Sequence, residues 1–436
     1  MIKKLCHTLG ISNETFSSNF ARIFVLLVSA IVAVTPKFYE DKYLMVLWTI
    51  FFLFTYKYYL LANRQLKQIS ILGAIFVLLC IVYWLLGISD AGFSYCMAAP
   101  FVYFAPIIGL IFIDQCYNHN QLRFIFHFIS LVVAVNVADS IWLVHSFGIE
   151  NLVYQNIADF LGDEGFDGLN LGGAMYVNMI VFYANVMFLT FLNTTDRIER
   201  FLFFLYFSIC TYFIVICSLK ASAILLLLAS ILLQYIAHKG KRNFGIIILL
   251  SSLFLGILFV FRDSLINLFI NIIDSERITS RLEVLATGAT VTDNTSFAGR
   301  EDLWQTSLHS WLKNPITFLF GIGDHDWRLF LYTADSGIGN HSDFFDVFGR
   351  YGLLGGIVFY FSLIKYYNFL QNKFGMVFKW EIIAFFIIII LMGITKRFVS
   401  GEPAIVIFLL FPLCLEHIST IQSTQIEIDN TKTSKL

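Results

Sequence analysis

Apolar runs long enough to cross a bilayer recur along almost the whole chain, and that recurrence leaves few folds open. A spanning helix needs about twenty mostly apolar residues. Runs of this kind lie at 20–36, 43–62, 69–87, 98–116, 122–147, 173–193, 201–219, 221–237, 244–261, 344–364, 381–399 and 403–417. In lipid every backbone N–H and C=O must find a partner within the protein, so such runs form helices and not open sheets. The expected fold is therefore all-α, a polytopic membrane protein with about twelve transmembrane helices and a large external loop. Composition agrees, since only 14% of residues are charged against about a quarter in soluble domains. A net charge of −1 gives no bulk attraction to nucleic acid, so the bilayer is the partner that composition names. Six of the 7 Cys fall inside, beside or before apolar runs, which argues against a disulfide framework. The first run ends in "VAVTPKF" without a clean small-residue cleavage site and reads as a retained span.

Lys and Arg in the short connections set orientation. Alternate connections hold Lys3 and Lys4, Arg64 and Lys67, Arg123, Arg197 and Arg200, Lys239 to Arg242, Lys365 to Lys379, and Lys432 and Lys435. One side collects them all, and it is expected to be cytoplasmic, with both termini there. The other side receives the acidic stretch 156–170 and one long segment. The expected organisation is 1–261 as N-terminal membrane helices, 262–343 as a large periplasmic loop, 344–417 as C-terminal membrane helices and 418–436 as a solvated tail. Within the loop, "DSLINLFINII" has the spacing of a surface-lying helix. In "EDLWQTSLHSWLKNP", Leu303, Trp304, Ser307, Leu308, Trp311 and Leu312 make one helical stripe, which Pro315 follows. The aromatic and aliphatic content of the loop predicts a folded cap.

Charges at the outer ends of spans oppose the insertion preference and cost about 2.5–3.5 kcal/mol each, which makes them functional candidates. Lys220 sits in the short hairpin "ICSLKASAI", and Lys396 and Arg397 in "GITKRFVSGEP". Their alternative is to snorkel to head groups. The stretch "GIGNHSDFFDVFGRYGLLGG" adds Asn340, His341, Asp343, Asp346 and Arg350. Asn340 is the expected N-cap, with Asp343 three residues on. His341 then falls in the first turn, where the macrodipole disfavours imidazolium and favours a neutral proton acceptor; the alternative is a polar residue without chemistry. Arg350 is i+4 from Asp346, which predicts an ion pair, and lies about two and a half turns deeper than His341. Gly352, Gly355 and Gly356 predict close helix approach.

The chain has no Walker loop, no H-E-x-x-H and no Cys cluster, so neither nucleotide hydrolysis nor zinc chemistry is expected. "DHD" at 324–326 is a weak acid pattern in an outer loop, and His145 reads as an interfacial side chain; the expectation is no metal and no cofactor. What remains is an outer-face set of cations, Lys220, Arg300, Arg328, Lys396 and Arg397, beside one His. Guanidinium groups match phosphate by paired hydrogen bonds. The set suits a lipid carrying a pyrophosphate head, although an organic-anion transporter would present much the same.

Residues 210–360 resemble the bacterial O-antigen polymerase and O-antigen ligase superfamily. The features are, in order, a charged hairpin after a span, "AGREDLW", the turn "FGIGDHDW" and "NHSDFFDVFGRYGLLGG". The resemblance implies a helical membrane glycosyltransferase of the C type, acting without nucleotide sugars on the periplasmic face of the bacterial inner membrane. Undecaprenyl-pyrophosphate-linked oligosaccharides would be its substrates, for O-antigen or capsule, and a chain-length regulator and a flippase its partners. It carries Arg300 and Lys220 over to the family's pyrophosphate-contacting residues and His341 to its essential histidine, so His341 and Arg300 are the expected catalytic residues. Lys220, Arg300, Arg328, Lys396 and Arg397 are the expected pyrophosphate contacts. Two departures stand out: the hairpin usually reads Ser-Arg where this chain has Leu219–Lys220, and Ser342 follows the His where Asn is usual. Polymerase is the expected activity. The alternatives are a ligase moving finished glycan to a lipid A core, or a secondary transporter or flippase, whose polar residues would gather at mid-depth.

Overall fold

The computed structural model describes residues 13–89, 93–115, 119–146, 174–218, 221–239, 305, 307–323, 342–396 and 398–433. Every regular element among these residues is helical: α1 (Asn13–Val34), α2 (Asp41–Leu61), α3 (Arg64–Leu85), α4 (Phe93–Phe104), α5 (Pro106–Gln115), α6 (His119–Ser146), α7 (Ala174–Asn193), α8 (Arg197–Tyr212), α9 (Ala221–Lys239), α10 (Pro315–Phe320), α11 (Asp343–Thr395), α12 (Gly401–Ile405) and α13 (Phe411–Thr433), with single π-turns at Phe213–Cys217 and Val406–Leu410. Nine helices among the described residues are long and apolar enough to cross a membrane, and Phe20–Val34 is a shorter apolar helix. The all-α polytopic membrane architecture expected from the sequence is thus present. Of the expected spans, 244–261 lies outside the described residues, as do most of the cap and the helix expected at 264–273.

Inside the bundle, polar side chains are tied to their own helices. Ser29 donates to Val25 O at 2.8 Å, Thr55 to Phe51 O at 2.7 Å, Thr190 to Val186 O at 2.8 Å and Ser218 to Ile214 O at 2.7 Å. Each hydroxyl is satisfied at i−4, so it can sit in an apolar setting without an outside partner. The centre is made by α5, α7 and the run from Gly401 to Leu415, whose side chains are buried almost throughout. Aromatic rings knit this centre together, with Phe385 stacked on Phe411 at 3.7 Å and Tyr103 edge-on to Phe408 at 5.3 Å. On the rim, α2, α3 and α8 expose Leu53, Leu60, Leu85, Ile198 and Phe201. A soluble monomer would not expose apolar surface on this scale; here it is the face that meets lipid.

The 53 residues of α11 would run to roughly 80 Å if straight, far beyond a bilayer, and the helix does not run straight. Non-helical dihedrals occur at Gly352 (φ 61, ψ −161) and Phe378 (φ −110, ψ 26). At the second break the helix doubles back: Gln371 reaches Lys379 O at 3.2 Å, and Ser342 at the start of α11 bonds to Gly393 near its end at 2.9 Å. The two expected spans at 344–364 and 381–399 are therefore the arms of one hairpin. The first break is also a reversal. Phe344, eight residues before Gly352, receives at its carbonyl the hydroxyl of Tyr360, eight residues after, at 2.9 Å, and Phe348 stacks on Tyr360 at 5.3 Å. Residues 343–351 therefore fold back along the arm that follows, and the membrane span proper begins after Gly352. At the C-terminus, the segment expected as a solvated tail from 418 continues α13 as helix to Thr433.

Candidate functional site

The reversal at Gly352 sets the start of α11 back into the bundle instead of leaving it at the rim. Its N-cap is Ser342 and not the expected Asn340: Ser342 Oγ accepts from Phe345 N and donates to Gly393 O. Ser342 is wholly buried, and Asp343 and Asp346 are 5% and 4% exposed. A buried carboxylate must be met by donors, and each is. Asp343 accepts from the backbone N–H groups of Phe398 and Val399, the latter at 2.7 Å. Asp346 takes the Ser307 hydroxyl at 2.7 Å on one oxygen and the Ser342 N–H at 3.0 Å on the other. Hydrogen bonds to a charged acceptor contribute about 1.5–3 kcal/mol each, and these span 39 and 55 residues of sequence. They fasten the first turn of α11 to the helix at 307–312 and to the turn after Thr395. Sequence reasoning placed Asp346 in a pair with Arg350; its bonds to Ser307 and Ser342 went unforeseen because they depend on where other elements dock.

Arg350 was expected about two and a half turns deeper than His341, which lies outside the described residues; within 343–351 the chain runs the other way. Because 343–351 runs back toward the rim, Arg350 lies at its outer end, where its carbonyl accepts from Gly323 N at 2.8 Å and the Gly349 carbonyl from Ile322 N at 2.9 Å. The sequence "FGIG" thus docks on the broken end of the 343–351 helix and caps carbonyls that the break leaves without intrahelical donors. The approach is close enough to require glycine on both sides. A Cβ at Gly321 (φ +72) would stand 2.3 Å from Arg350 O, and one at Gly352 would stand 2.5 Å from Leu319 O. Trp311, from the expected helical stripe, stacks on Phe348 at 4.6 Å and donates to Phe318 O at 2.8 Å.

Lys396 closes α11 as its C-cap, and its carbonyl accepts from Asp343 N at 3.3 Å. Beyond it, Phe398 is completely buried against Tyr103, Phe344 and Phe359. The chain re-enters helix at Gly401, whose N–H donates to the Tyr39 hydroxyl at 3.1 Å. Tyr39 in turn donates to Asp41 at 2.7 Å. Burial, with Glu402 and Asp41 nearby, pushes this hydroxyl well above its ordinary pKa, so it remains a donor. Of the expected site residues, Lys396 is described; Lys220, Arg300, Arg328, His341 and Arg397 lie outside the described residues. Near Lys220, His341 and Arg397, neighbouring residues are described. Ser342 and Asp343 follow His341, Lys396 and Phe398 flank Arg397, and the π-turn Phe213–Cys217 with Ser218 leads to Lys220.

The chain matches no curated protein. A family model described as O-antigen ligase matches residues 204–360. That segment runs from the helix before Lys220, through residues 262–343, to the reversal at Gly352 and the first turns of the span beyond it. Over this segment, set in a bundle of membrane helices, the chain is similar to the O-antigen polymerase and ligase superfamily.

Proposed function

We propose that the chain is an O-antigen-type polymerase. It joins undecaprenyl-pyrophosphate-linked oligosaccharide repeats on the periplasmic face of a bacterial inner membrane, with both termini in the cytoplasm. A growing glycan on its lipid pyrophosphate is the donor, and a terminal sugar hydroxyl on another lipid-linked repeat is the acceptor. The hydroxyl oxygen attacks the anomeric carbon, the bond from that carbon to pyrophosphate breaks, and His341 accepts the hydroxyl proton. Arg300, with Lys220 and Arg328, offsets the charge that grows on the departing pyrophosphate, while Lys396 and Arg397 hold the head group. The outer loop covers the glycans and limits water, which would otherwise hydrolyse the donor.

One observation carries this reading. Ser342 and Asp343, which follow His341 in the chain, are bonded to Gly393, Phe398 and Val399, which flank Lys396 and Arg397. The chain segment that follows His341 is thereby joined to the segment around Lys396 and Arg397, which supports the reading that the histidine and the two cations serve one site, as a diphosphate leaving group and an attacking hydroxyl require. In such a system a flippase supplies the repeats and a chain-length regulator sets where growth stops.

The description of the matched family favours a second reading, the ligase that moves finished glycan to a lipid A core. Both enzymes use one chemistry and differ in acceptor, so the phenotype of a strain lacking this chain separates them. Loss of the polymerase leaves a single repeat attached to core. Unattached long polymer in that strain would identify the ligase instead and set the polymerase aside.

A further inference from the structure

At the opposite end of the bundle, three helices bring two imidazoles and a carboxylate to one point. His127 lies on α6, Glu199 in the first turn of α8 and His417 on α13. Glu199 Oε1 is 2.8 Å from His127 Nε2 and 3.3 Å from His417 Nε2. All three donor atoms lie within 4.8 Å of one another. The chain turn of the α11 hairpin is at this same end, where Lys373 pairs with Asp114 and Glu416. Ser342 bonds to Gly393, beyond the turn at Phe378, and is therefore roughly 20 Å away along the helices.

We infer that His127, Glu199 and His417 form a binding site for a divalent transition-metal ion, zinc above all. The donor set is two imidazoles and one carboxylate, which zinc takes up while keeping a fourth position for water. Zinc–nitrogen bonds of about 2.0–2.1 Å in tetrahedral geometry hold donor atoms roughly 3.3 Å apart, the spacing of the Glu199–His417 pair. His417 Nε2 supplies the observation that a plain hydrogen-bond cluster does not explain. The side chain is 3% exposed, and this nitrogen stands 3.3 Å from Glu199 Oε1, at ion-pair distance but without a well-aligned hydrogen bond. A buried imidazole nitrogen so loosely held by its carboxylate is better satisfied by a cation that binds both donor atoms from one side.

The surroundings hold the donors in place. His127 stacks on Phe203 with centroids 5.5 Å apart, and His417 lies against Phe126 at 5.2 Å. Asp196 caps α8 by accepting from Glu199 N at 3.1 Å, which fixes the turn that carries the carboxylate. A cavity of about 360 Å³, lined by His119, Arg123, Glu416 and Thr420, adjoins Glu199 and His417. It gives the metal an entry path and room for its water. Arg123 is the competing cation, with Nη2 3.1 Å from the same Glu199 oxygen. Its side chain is 41% exposed, so it can withdraw into the cavity when the metal enters. Bound there, the ion would staple the C-terminal helix to α6 and α8.

The test uses full-length protein without a histidine tag in lipid nanodiscs, stripped with chelator and titrated with zinc. The wild type is expected to retain about one zinc per chain after desalting, as one His2Glu site requires. His417→Gln and Glu199→Gln should each lose it, and Arg123→Met should hold zinc more tightly, an effect that a purely structural carboxylate clamp would not produce. Wild-type protein that retains no zinc overturns the proposal without recourse to any variant. So does zinc retained undiminished in folded His417→Gln. If the variants do not fold, X-ray absorption of the wild-type zinc protein decides: two imidazoles without sulfur support the site, and any shell with fewer than two imidazoles rejects it.

Discussion

Replacing His341 with alanine is expected to stop chain growth, leaving lipid-linked single repeats where the wild type makes a ladder. A positioned general base contributes about 10²–10⁴-fold to the rate, and a ladder built by many successive transfers disappears well before such a loss is complete. The setting of the neighbouring residues supports the role. Ser342 is the N-cap of α11, and the macrodipole at a helix N-terminus disfavours positive charge nearby, which suits the role proposed for the preceding residue, His341. Ser342 and Asp343 are pinned to Gly393, Phe398 and Val399, which fixes the backbone from which His341 departs. Ladder length on gels of extracted glycan is the measurement, with membrane abundance of the variant checked in parallel. Normal ladders from well-expressed His341→Ala would remove the residue from the mechanism.

Gly352→Ala is expected to cost roughly 2–5 kcal/mol, because two penalties coincide: left-handed backbone at about 1–2 kcal/mol and overpacking at about 1–3 kcal/mol. Gly352 has φ +61, and its Cβ would stand 2.5 Å from Gly321 N and from Leu319 C and O. Backbone atoms cannot swing aside as a side chain would. The reversal also folds Tyr351 and Phe348 onto Gly355 and Gly356, where a Cβ would meet them at 2.1 and 2.2 Å. Gly87 provides the control: its φ is +69, yet nothing lies within 4 Å of its Cβ position. Gly87→Ala should therefore bear the backbone penalty alone, about 1–2 kcal/mol. Thermal unfolding in detergent compares the two. Equal losses would mean that the docking of the "FGIG" turn on α11 does not constrain Gly352.

Much of the fold was legible because a bilayer demands so little of a sequence. Length and apolarity alone marked the helices that contain 41–61, 64–85 and 119–146, and the helix with Ser307 and Trp311 followed from its stripe. The first turn of α11 was less legible. Asn340 with Asp343 and Ser342 with Asp346 are both reasonable capping patterns, and the choice between them rests on bonds to Gly393 and Phe398, which no local window contains. Gly352 carried a similar ambiguity, since a glycine that permits helix contact and one that permits positive φ look alike in sequence. Misjudging it gave 343–351 the wrong direction. The His127–Glu199–His417 cluster gave no signal at all: its members are 72 and 218 residues apart, so no motif spacing links them. Arg123 beside them was read only as an orientation charge, which is all that a sequence can assign to a cation at a span end.

The most direct test of the central claim is reconstitution. Purified chain in proteoliposomes is given only undecaprenyl-pyrophosphate-linked repeats, and the lipid-linked products are resolved by size. The account predicts a ladder of polymer with release of one undecaprenyl pyrophosphate per bond formed. Folded protein that leaves the repeats as single units, or that elongates nothing until lipid A core is added, would contradict it.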